Sequence, residues 1–409
     1  MRIEILKRSA VMLYLTVVFS VFTIAQNTTS TLTGTTSDSD DILPGAVVKL
    51  IEVESGITYS AISNQKGQFR ITGLTPGGPY RLEVSYVGHK KSVIDIKRIS
   101  LGEVYSCNVE LTTGNELQEV IVKGQAAALR KTGSSESISA EDIDNKATVD
   151  RTLQDILAMS PYYIGSGSFG GRDGGMNNYS IDGANFNANM GLDREKMPGA
   201  GTPFALEALE DIQIVNSAFD VKNSNFMGAT INAVTKKGTN TFRGSAYHFY
   251  KDESLRGNRV DGEELTAPRG DIKRTIYGLT LGGPIIKDKL FFFVSAELEN
   301  TPLQLHQWQA SKDGVEDGKN LISRVTESDM KQFASDLQSM YGWNPGSYND
   351  FTGDNKFFRL MTRIDWNISK YHKLTLRYNQ TNGKKDNSYS SPGMGMNDGR
   401  VSIYSMVFD

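Results

Sequence analysis

Lys356-Phe357-Phe358-Arg359-Leu360-Met361-Thr362-Arg363-Ile364-Asp365-Trp366-Asn367-Ile368 decides how the second half of this 409-residue chain is read. Successive side chains of an extended strand point to opposite faces. Phe358, Leu360, Thr362, Ile364 and Trp366 therefore share one face, and Arg359, Arg363, Asp365 and Asn367 share the other. The next run repeats the pattern, with Leu374, Leu376 and Tyr378 opposed to Thr375, Arg377 and Asn379. From residue 241 onward there are about six such runs of roughly ten residues, the length a tilted membrane β-strand requires. They lie near 241–250, 274–283, 289–298, 356–368, 373–380 and 400–408. A soluble sandwich alternates in the same way and is the commoner source of such a pattern.

The connections separate the two readings. Long polar segments at 251–273, 299–355 and 381–399 alternate with short ones at 283–288 and 369–372. Alternation of long outer loops with short inner turns is the habit of outer-membrane barrels. The longest segment could be an inserted domain. It is read as a loop carrying one amphipathic helix that starts after Ser328, with Phe333, Leu337 and Met340 on one face. Phe291, Phe292 and Phe293 suit either a hydrophobic core or an aromatic girdle at a membrane interface.

Composition narrows the field. Lys+Arg 44 against Asp+Glu 47 gives a net charge of -3, which argues against nucleic-acid binding. With 38% hydrophobic residues and no later stretch of transmembrane-helix length, any further membrane contact must be made by β-structure. Gly 40 is about a tenth of the chain, above the usual ~7%, and points to strands and turns. Length alone allows roughly two to four domains. A single cysteine excludes an intrachain disulfide framework and Cys-based zinc or iron–sulfur sites.

Residues 1–25 have a basic start (Arg2, Lys7, Arg8), an apolar run from Ala10 to Ala25 and small residues at its end. That is the layout of a secretory signal peptide cleaved between Ala25 and Gln26. The alternative, a membrane anchor, falls short of the ~20 residues needed to span. Residues 26–113 then show short alternating runs at 46–53, 58–63, 67–71, 80–86, 92–96 and 104–111, punctuated by Gly and Pro. Regular spacing of this kind indicates an antiparallel β-sandwich, with Cys107 in phase with core positions Tyr105, Val109 and Leu111.

Glu119, Val120, Ile121 and Val122 form a short β-prone segment. An ordinary sandwich-edge strand is its default reading. Its position between two folded units also suits an accessible strand that pairs with a partner's sheet edge. Residues 139–160 turn helical, with Leu153, Ile156 and Leu157 on one face. Gly165, Gly167 and Gly170 match G-x-G-x-x-G, but a strand at 178–181 follows instead of the helix a dinucleotide site needs. His89, His248, His306 and His372 have no paired metal-ligand spacing, and Ser166 and Ser168 sit in no nucleophile motif. No catalytic constellation is visible, and no cofactor or metal is called for.

Leu43-Pro44-Gly45-Ala46-Val47-Val48, Gly67-Gln68-Phe69, Gly73-Leu74-Thr75-Pro76-Gly77 and Val84-Ser85-Tyr86-Val87-Gly88 resemble the carboxypeptidase regulatory-like domain. That family implies a transthyretin-like sandwich without catalytic residues, sometimes carbohydrate-binding. The order of parts, with the block from Asn177 through Asn187, Leu209 to Val215, Gly228 to Asn240 and Leu281 to Phe293, resembles the TonB-dependent outer-membrane receptors of Bacteroidetes, Oar-like branch. The fold expected is mainly β: signal peptide (1–25), sandwich (26–113), α+β plug with a TonB-box-like segment (114–237), and the first strands of a transmembrane β-barrel (238–409).

The resemblance implies that Glu119, Val120, Ile121 and Val122 contact a TonB-type energy-coupling protein of the inner membrane. It also implies that Arg172, Asn178, Tyr179, Ile181, Asp182 and Gly183 form the plug motif. Large members of the family have 22 strands, so about six cannot close a plugged barrel. The 409 residues are therefore expected to be the front of a longer receptor. As it stands, the chain is expected to be an open, curved sheet with unpaired edges, unable to transport or fold stably. Expected partners are outer-membrane lipid and an unidentified imported ligand, with room for a surface lipoprotein, and no nucleic acid. Siderophore, oligosaccharide, peptide and protein ligands are all compatible. The rival readings are a surface binding or adhesion protein anchored by the barrel and, more weakly, a secreted enzyme with an accessory sandwich.

Overall fold

The computed structural model describes residues 28–39, 41–114, 120–121, 134–148, 150–165, 167–187, 203–216, 228–255, 257, 259–264, 273–304, 309–317, 322–344, 352–353, 355–369, 372–385, 387–388 and 407–408. The expected signal peptide with Ala25 and Gln26, the positions Glu119 and Val122, and most of the run at 400–408 lie outside the described residues. The chain divides into two units: residues 1–198 with 209–236, and residues 199–208 with 237–409.

The first unit opens with a strand that the pattern of apolar residues does not announce, β1 (Ser30–Ser37, STLTGTTS). Leu32 is its only large apolar residue, and Thr36 is fully buried with its hydroxyl donating to the Leu43 carbonyl at 2.8 Å. Then come β2 (Val47–Glu52), β3 (Thr58–Ile62), β4 (Gln68–Leu74), β5 (Tyr80–Ser85) and β6 (Ser92–Ile96), within a residue or a few of the expected runs. The expected single strand at 104–111 is instead two, β7 (Val104–Ser106) and β8 (Val109–Glu110), both parallel to β1. The break is filled by the Asn108 side chain, whose carbonyl accepts the Thr35 N–H at 3.1 Å in place of a backbone partner. Gly34 is required opposite this break, because a Cβ there would stand 1.8 Å from the Cys107 carbonyl oxygen.

One sheet has the order β4-β1-β7, with β8 also on β1, and the other runs β3-β2-β5-β6-β9, where β9 is Val120–Ile121. Leu32, Val48, Leu50, Leu82, Val84 and Ile94 pack between them and are all essentially without solvent contact. Each such side chain contributes roughly 1.5–3 kcal/mol of transfer free energy. Cys107 is in that core, and burial pushes its thiol up to about 11.

The same unit continues into a mixed sheet of order β10-β15-β16-β13-β14, with only β13 and β16 parallel. Its strands are β10 (Ser135–Ser139), β13 (Asn178–Ile181), β14 (Ala184–Asn185), β15 (Leu209–Val215) and β16 (Thr230–Thr235); a separate hairpin holds β11 (Tyr163–Gly165) and β12 (Ser168–Phe169). The helix expected over 139–160 is two short helices, α1 (Ala140–Asn145) and α2 (Leu153–Leu157). Each begins on its own capping box, Ser139 with Asp142 and Thr152 with Asp155. The extended backbone at Thr152 and the left-handed Arg151 (φ 47) prevent continuation between them. Leu153, Ile156 and Leu157 are all buried, as the apolar stripe requires.

The second unit is an antiparallel meander, β17 (Arg243–Lys251), β20 (Arg274–Ile286), β21 (Leu290–Asn300), β26 (Asn355–Asn367) and β27 (Lys373–Lys385), paired in that order. Between these long strands the loops hold small pairs: β18 (Arg259–Val260) with β19 (Glu263–Glu264), β22 (Leu303–Gln304) with β25 (Thr352–Gly353), and β23 (Gln309–Ser311) with β24 (Ile322–Thr326). A final pair joins β28 (Asn387–Ser388) to β29 (Val407–Phe408), the described part of the sixth expected run. The loop helix α3 (Glu327–Tyr341) starts earlier than Ser328 because Thr326 and Asp329 form its capping box, and Gly342 (φ 64) ends it. None of its residues is buried, so the stripe of Phe333, Leu337 and Met340 is not packed away.

Polarity in the meander is reversed relative to a soluble sheet. Along β26 the covered positions are Phe357, Arg359, Met361, Arg363 and Asp365, while Ile364 and Trp366 are exposed. On the neighbours, Tyr277, Leu279 and Leu281 of β20 and Leu374, Leu376 and Tyr378 of β27 are exposed too. Register places these apolar residues side by side on one face, Tyr277 opposite Leu298 and Leu298 opposite Phe358. A sheet that covers its charges and exposes its aliphatic and aromatic face is built for hydrocarbon outside and polar contents inside.

Candidate functional site

The residues expected to form the plug motif are organised by one tight hairpin. Asp182 (φ 50) and Gly183 (φ 84) are the two central residues between Ile181 and Ala184, which are paired. Both have positive φ, as a type I′ turn requires, which is why Asp-Gly stands there. The Asp182 carboxylate then reaches across to β16, accepting the Thr235 N–H at 3.0 Å and the Thr235 hydroxyl at 2.6 Å. Asn178 is fully buried and accepts from Asn187 Nδ2 at 2.7 Å, while Asn187 Oδ1 takes the Tyr179 N–H at 2.9 Å. Ile181 and Tyr179 are buried on the same strand. Arg172 is in the preceding turn with an exposed side chain, and its carbonyl accepts the Ser168 hydroxyl at 2.6 Å. Five of the six motif residues thus meet on β13 and its turn, and Arg172 stands apart from that hydrogen-bond network.

Several residues that hold this centre are outside the predicted motif. Asn177 donates to the Gly167 carbonyl at 2.7 Å and accepts the Ala229 N–H at 2.9 Å. Ser180 donates to Asn232 at 2.7 Å. The repeated Asn at 177, 178, 185 and 187 is the signal that could have found them. The G-x-G-x-x-G spacing spans the β11–β12 hairpin, with Gly165, Gly167 and Gly170 all at positive φ. No nucleotide-type strand–turn–helix follows it among the described residues.

Of the four residues expected to form the coupling segment, Val120 and Ile121 are described. They run parallel to β6, Val120 opposite Ser92 and Ile121 opposite Val93. The sheet ends on this strand among the described residues. The default reading, a sandwich-edge strand, is thus the observed geometry, and an edge strand is also what pairing with another sheet needs.

The sandwich is latched to the mixed sheet through Asp211, whose side chain has no solvent contact. It accepts from Arg98 Nη2 at 2.9 Å, from the Leu101 N–H at 3.2 Å and from the Ser137 hydroxyl. Arg98 Nη2 also donates to the Glu210 carbonyl at 2.8 Å.

In the second unit the covered face carries an ion ladder. Arg359 Nη1 is 2.7 Å from both Glu297 Oε1 and Glu299 Oε2. Arg274 holds the other oxygen of Glu299 at 2.7 Å, and the Tyr247 hydroxyl donates to Glu297 at 2.9 Å. Arg363 grips Asp365 with Nε at 2.8 Å and Nη2 at 3.0 Å, and Thr375 adds a bond at 2.9 Å. Buried charges are tolerated only when paired in this way. In the same unit Ala208 packs with Phe293 and Met361, and Thr381 donates to the Pro203 carbonyl at 2.5 Å.

Comparison with known proteins agrees with these parts. Residues 31–112 match the carboxypeptidase regulatory-like domain and residues 234–307 match an outer membrane beta barrel domain. Over 382 residues, 86% of this chain and 33% of the relative, the sequence is 24% identical to the TonB-dependent transporter Oar of Myxococcus xanthus. The chain resembles TonB-dependent receptors of the Oar type. Its place is the outer membrane. The chain spans about a third of the length of this curated relative.

Among solved structures it is similar to the outer membrane transporter YddB from Escherichia coli (15% identity, TM-score 0.41, 63% of this chain and 34% of that one). It is also similar to the siderophore receptor PirA from Acinetobacter baumannii (16%, TM-score 0.38, 61% and 32%). These Oar-type and barrel relatives are named as receptors and transporters. Among the described residues no group of three or more His, Cys, Asp or Glu side chains is arranged to hold a metal ion.

Proposed function

We propose that this chain serves a TonB-dependent outer-membrane transporter, which binds an external ligand and imports it when a TonB-type protein pulls the plug aside. A single observation carries the reading: an inside-out β-meander with a buried ion ladder follows, in one chain, a sandwich, an edge strand and a hydrogen-bonded mixed sheet. In this reading the signal peptide is removed between Ala25 and Gln26, residues 26–113 are the sandwich, 114–237 the coupling segment and plug, and 238–409 barrel. The hairpin of Asp182 and Gly183, with Asn178, Tyr179, Ile181 and Arg172, forms the centre of the plug.

Glu119, Val120, Ile121 and Val122 are the strand offered to the energy-coupling protein. A plug blocks passive diffusion, so transport needs work from the inner membrane, and strand pairing transmits force along backbone hydrogen bonds. Siderophore, oligosaccharide and peptide ligands all suit such a receptor, a surface lipoprotein can assist, and no enzymatic step is assigned. Deleting 119–122 is expected to abolish energised uptake while leaving ligand binding intact. Uptake unchanged by the deletion refutes the transporter reading and favours a surface binding or adhesion role for the sandwich.

A further inference from the structure

Strand β15 is irregular at the point where the sandwich meets the mixed sheet. Leu209 is opposite Thr235 and Asp211 is opposite Val234, so Glu210 is an extra residue without a register partner on β16. Such bulges re-aim side chains and are built-in features of a sheet, not defects. Consecutive side chains of a regular strand point to opposite faces. Here Glu210 and Asp211 both reach Arg98: Nη1 is 3.4 Å from Glu210 Oε1, and Nη2 donates to Asp211 Oδ2 at 2.9 Å and to the Glu210 carbonyl at 2.8 Å. The sandwich backbone comes equally close. A Cβ on Gly77 would stand 2.8 Å from Glu210 Oε1 and one on Gly102 2.5 Å from Gln213 Nε2, and both glycines have positive φ (112 and 67).

Strand β10 meets the same carboxylate from its own side. Its register puts Ser139 opposite Asp211, Ser137 opposite Gln213 and Ser135 opposite Val215. Directly opposed residues share a face, so the three serines stand on the face of Asp211, while Ile138 stands with Ile212 on the other. Ile138 is the only buried residue of β10, and β10 is the edge of this sheet among the described residues. One buried side chain is a weak hold, and segments held so weakly open locally. The Ser137 hydroxyl adds to the hold by donating to Asp211 Oδ1, and Oδ2 of the same carboxylate takes Arg98 Nη2 and the Leu101 N–H at 3.2 Å. Asp211 has no solvent contact, so an oxygen that loses a donor there is left buried and unsatisfied.

We propose that the sandwich is an intramolecular lock on β10. Arg98 and Leu101 hold the carboxylate that holds Ser137, so β10 comes away from β15 only as the sandwich lets go. The part this lock plays in import rests on the transporter reading, in which the pull arrives through the segment that precedes β10. Opening from the Ser135 end releases the pairs of Ser135 and Glu136 first and meets the lock at Ser137. The sandwich thereby sets a threshold for moving the first strand of the mixed sheet.

The test is amide hydrogen exchange on the whole chain in mild detergent, comparing Arg98→Gln, Ser137→Ala and the double variant. Coupling between two sites is reciprocal. Arg98→Gln should therefore speed opening at 135–139, and Ser137→Ala should speed opening at 98–104 by the same factor, roughly tenfold, within the range usual for coupled sites. The double variant should add little to either single one. Peptides over β2 and β5 should keep their protection; where Arg98→Gln loosens them too, Ser137→Ala decides alone. Exchange within twofold of the parent at 98–104 in Ser137→Ala overturns the lock. A change at 135–139 in Arg98→Gln without that counterpart would point instead to Asp142 of α1, whose charge Arg98 also feels. Energised uptake that survives deletion of 119–122 sinks the transporter reading and leaves the lock as a property of the fold, which separates the two failures.

Discussion

Replacing Asp211 by Ala should loosen the sandwich from the mixed sheet without unfolding either. The carboxylate is fully buried and takes three donors, Arg98 Nη2 at 2.9 Å, the Leu101 N–H at 3.2 Å and the Ser137 hydroxyl. Removing one partner of a buried ion pair costs about 3–5 kcal/mol. Arg98 keeps 29% side-chain exposure and retains the Glu210 carbonyl at 2.8 Å, so the lower end applies, about 3 kcal/mol. At 1.36 kcal/mol per factor of ten, that is on the order of a hundredfold in local opening. Asp211→Asn keeps an acceptor without the charge and should show about half of that free energy.

The assay is amide hydrogen exchange read by mass spectrometry on the whole chain. Peptides over 98–104 and 135–139 should lose about two orders of magnitude of protection, while peptides over β2 and β5 keep theirs. Protection at 98–104 within threefold of the parent, with the β2 and β5 peptides intact, would falsify the latch. Loss of protection in those core peptides as well would show that Asp211 supports the fold of the sandwich and is no local latch.

Three further outcomes follow from the geometry. Cys107, buried and with its thiol raised to about 11, should resist thiol reagents at pH 8 in the native chain and react on unfolding; fast native labelling would contradict its place in the core. His89 Nε2 and Asp38 Oδ2 pair at 2.9 Å, and the Asp38 hydrogen bond raises the imidazole above 6.5 while the His89 hydrogen bond lowers Asp38 below 3.8. The histidine's contribution is therefore full below 6.5 and lost as pH rises through its raised value, and the aspartate's is full above 3.8 and lost in acid. The sandwich should melt higher at pH 6 than at pH 8, a difference that Asp38→Asn removes; a flat profile in the parent would count against the pair. Leu376→Arg, in the middle of the exposed face opposite Ile364, should cost about 2–4 kcal/mol of insertion and deplete the chain from outer membranes. Asn379→Arg, on the opposite face, should cost little, and equal depletion by both would argue against the assigned polarity.

The sequence was legible where a local rule acts alone. Long alternating runs located five barrel strands, because period two survives any tertiary context. Asp-Gly announced its hairpin, and Leu153, Ile156 and Leu157 announced a buried helical face. It was illegible where a distant partner decides. β1 is Thr-rich and polar, and it is a strand because β4, β7 and β8 offer it ladders from residues 30 or more positions away. Asp211 looks like an ordinary surface acid in Leu209-Glu210-Asp211-Ile212, and only Arg98, 113 residues earlier, makes it a latch. The strand Val120–Ile121 pairs with β6, which no local pattern around Val120 could specify.

Alternation also cannot say which face of the meander is covered, and here the ion ladder supplies what the pattern lacks. Glu297 stands directly opposite Arg359, with Glu299 on the same face one position further along the ladder. A slip of one residue between β21 and β26 would turn one strand's side chains over. Arg359 would then face hydrocarbon, or Glu297 and Glu299 would lose their cation. A guanidinium on the lipid face at mid-depth costs about 2–4 kcal/mol. Leaving buried carboxylates unpaired costs several more. The same side chains that make the interior polar therefore fix the register. They also select the covered face, since no soluble arrangement that exposes Leu279, Leu376 and Tyr378 would bury Arg359, Glu297, Glu299, Arg363 and Asp365 beneath them.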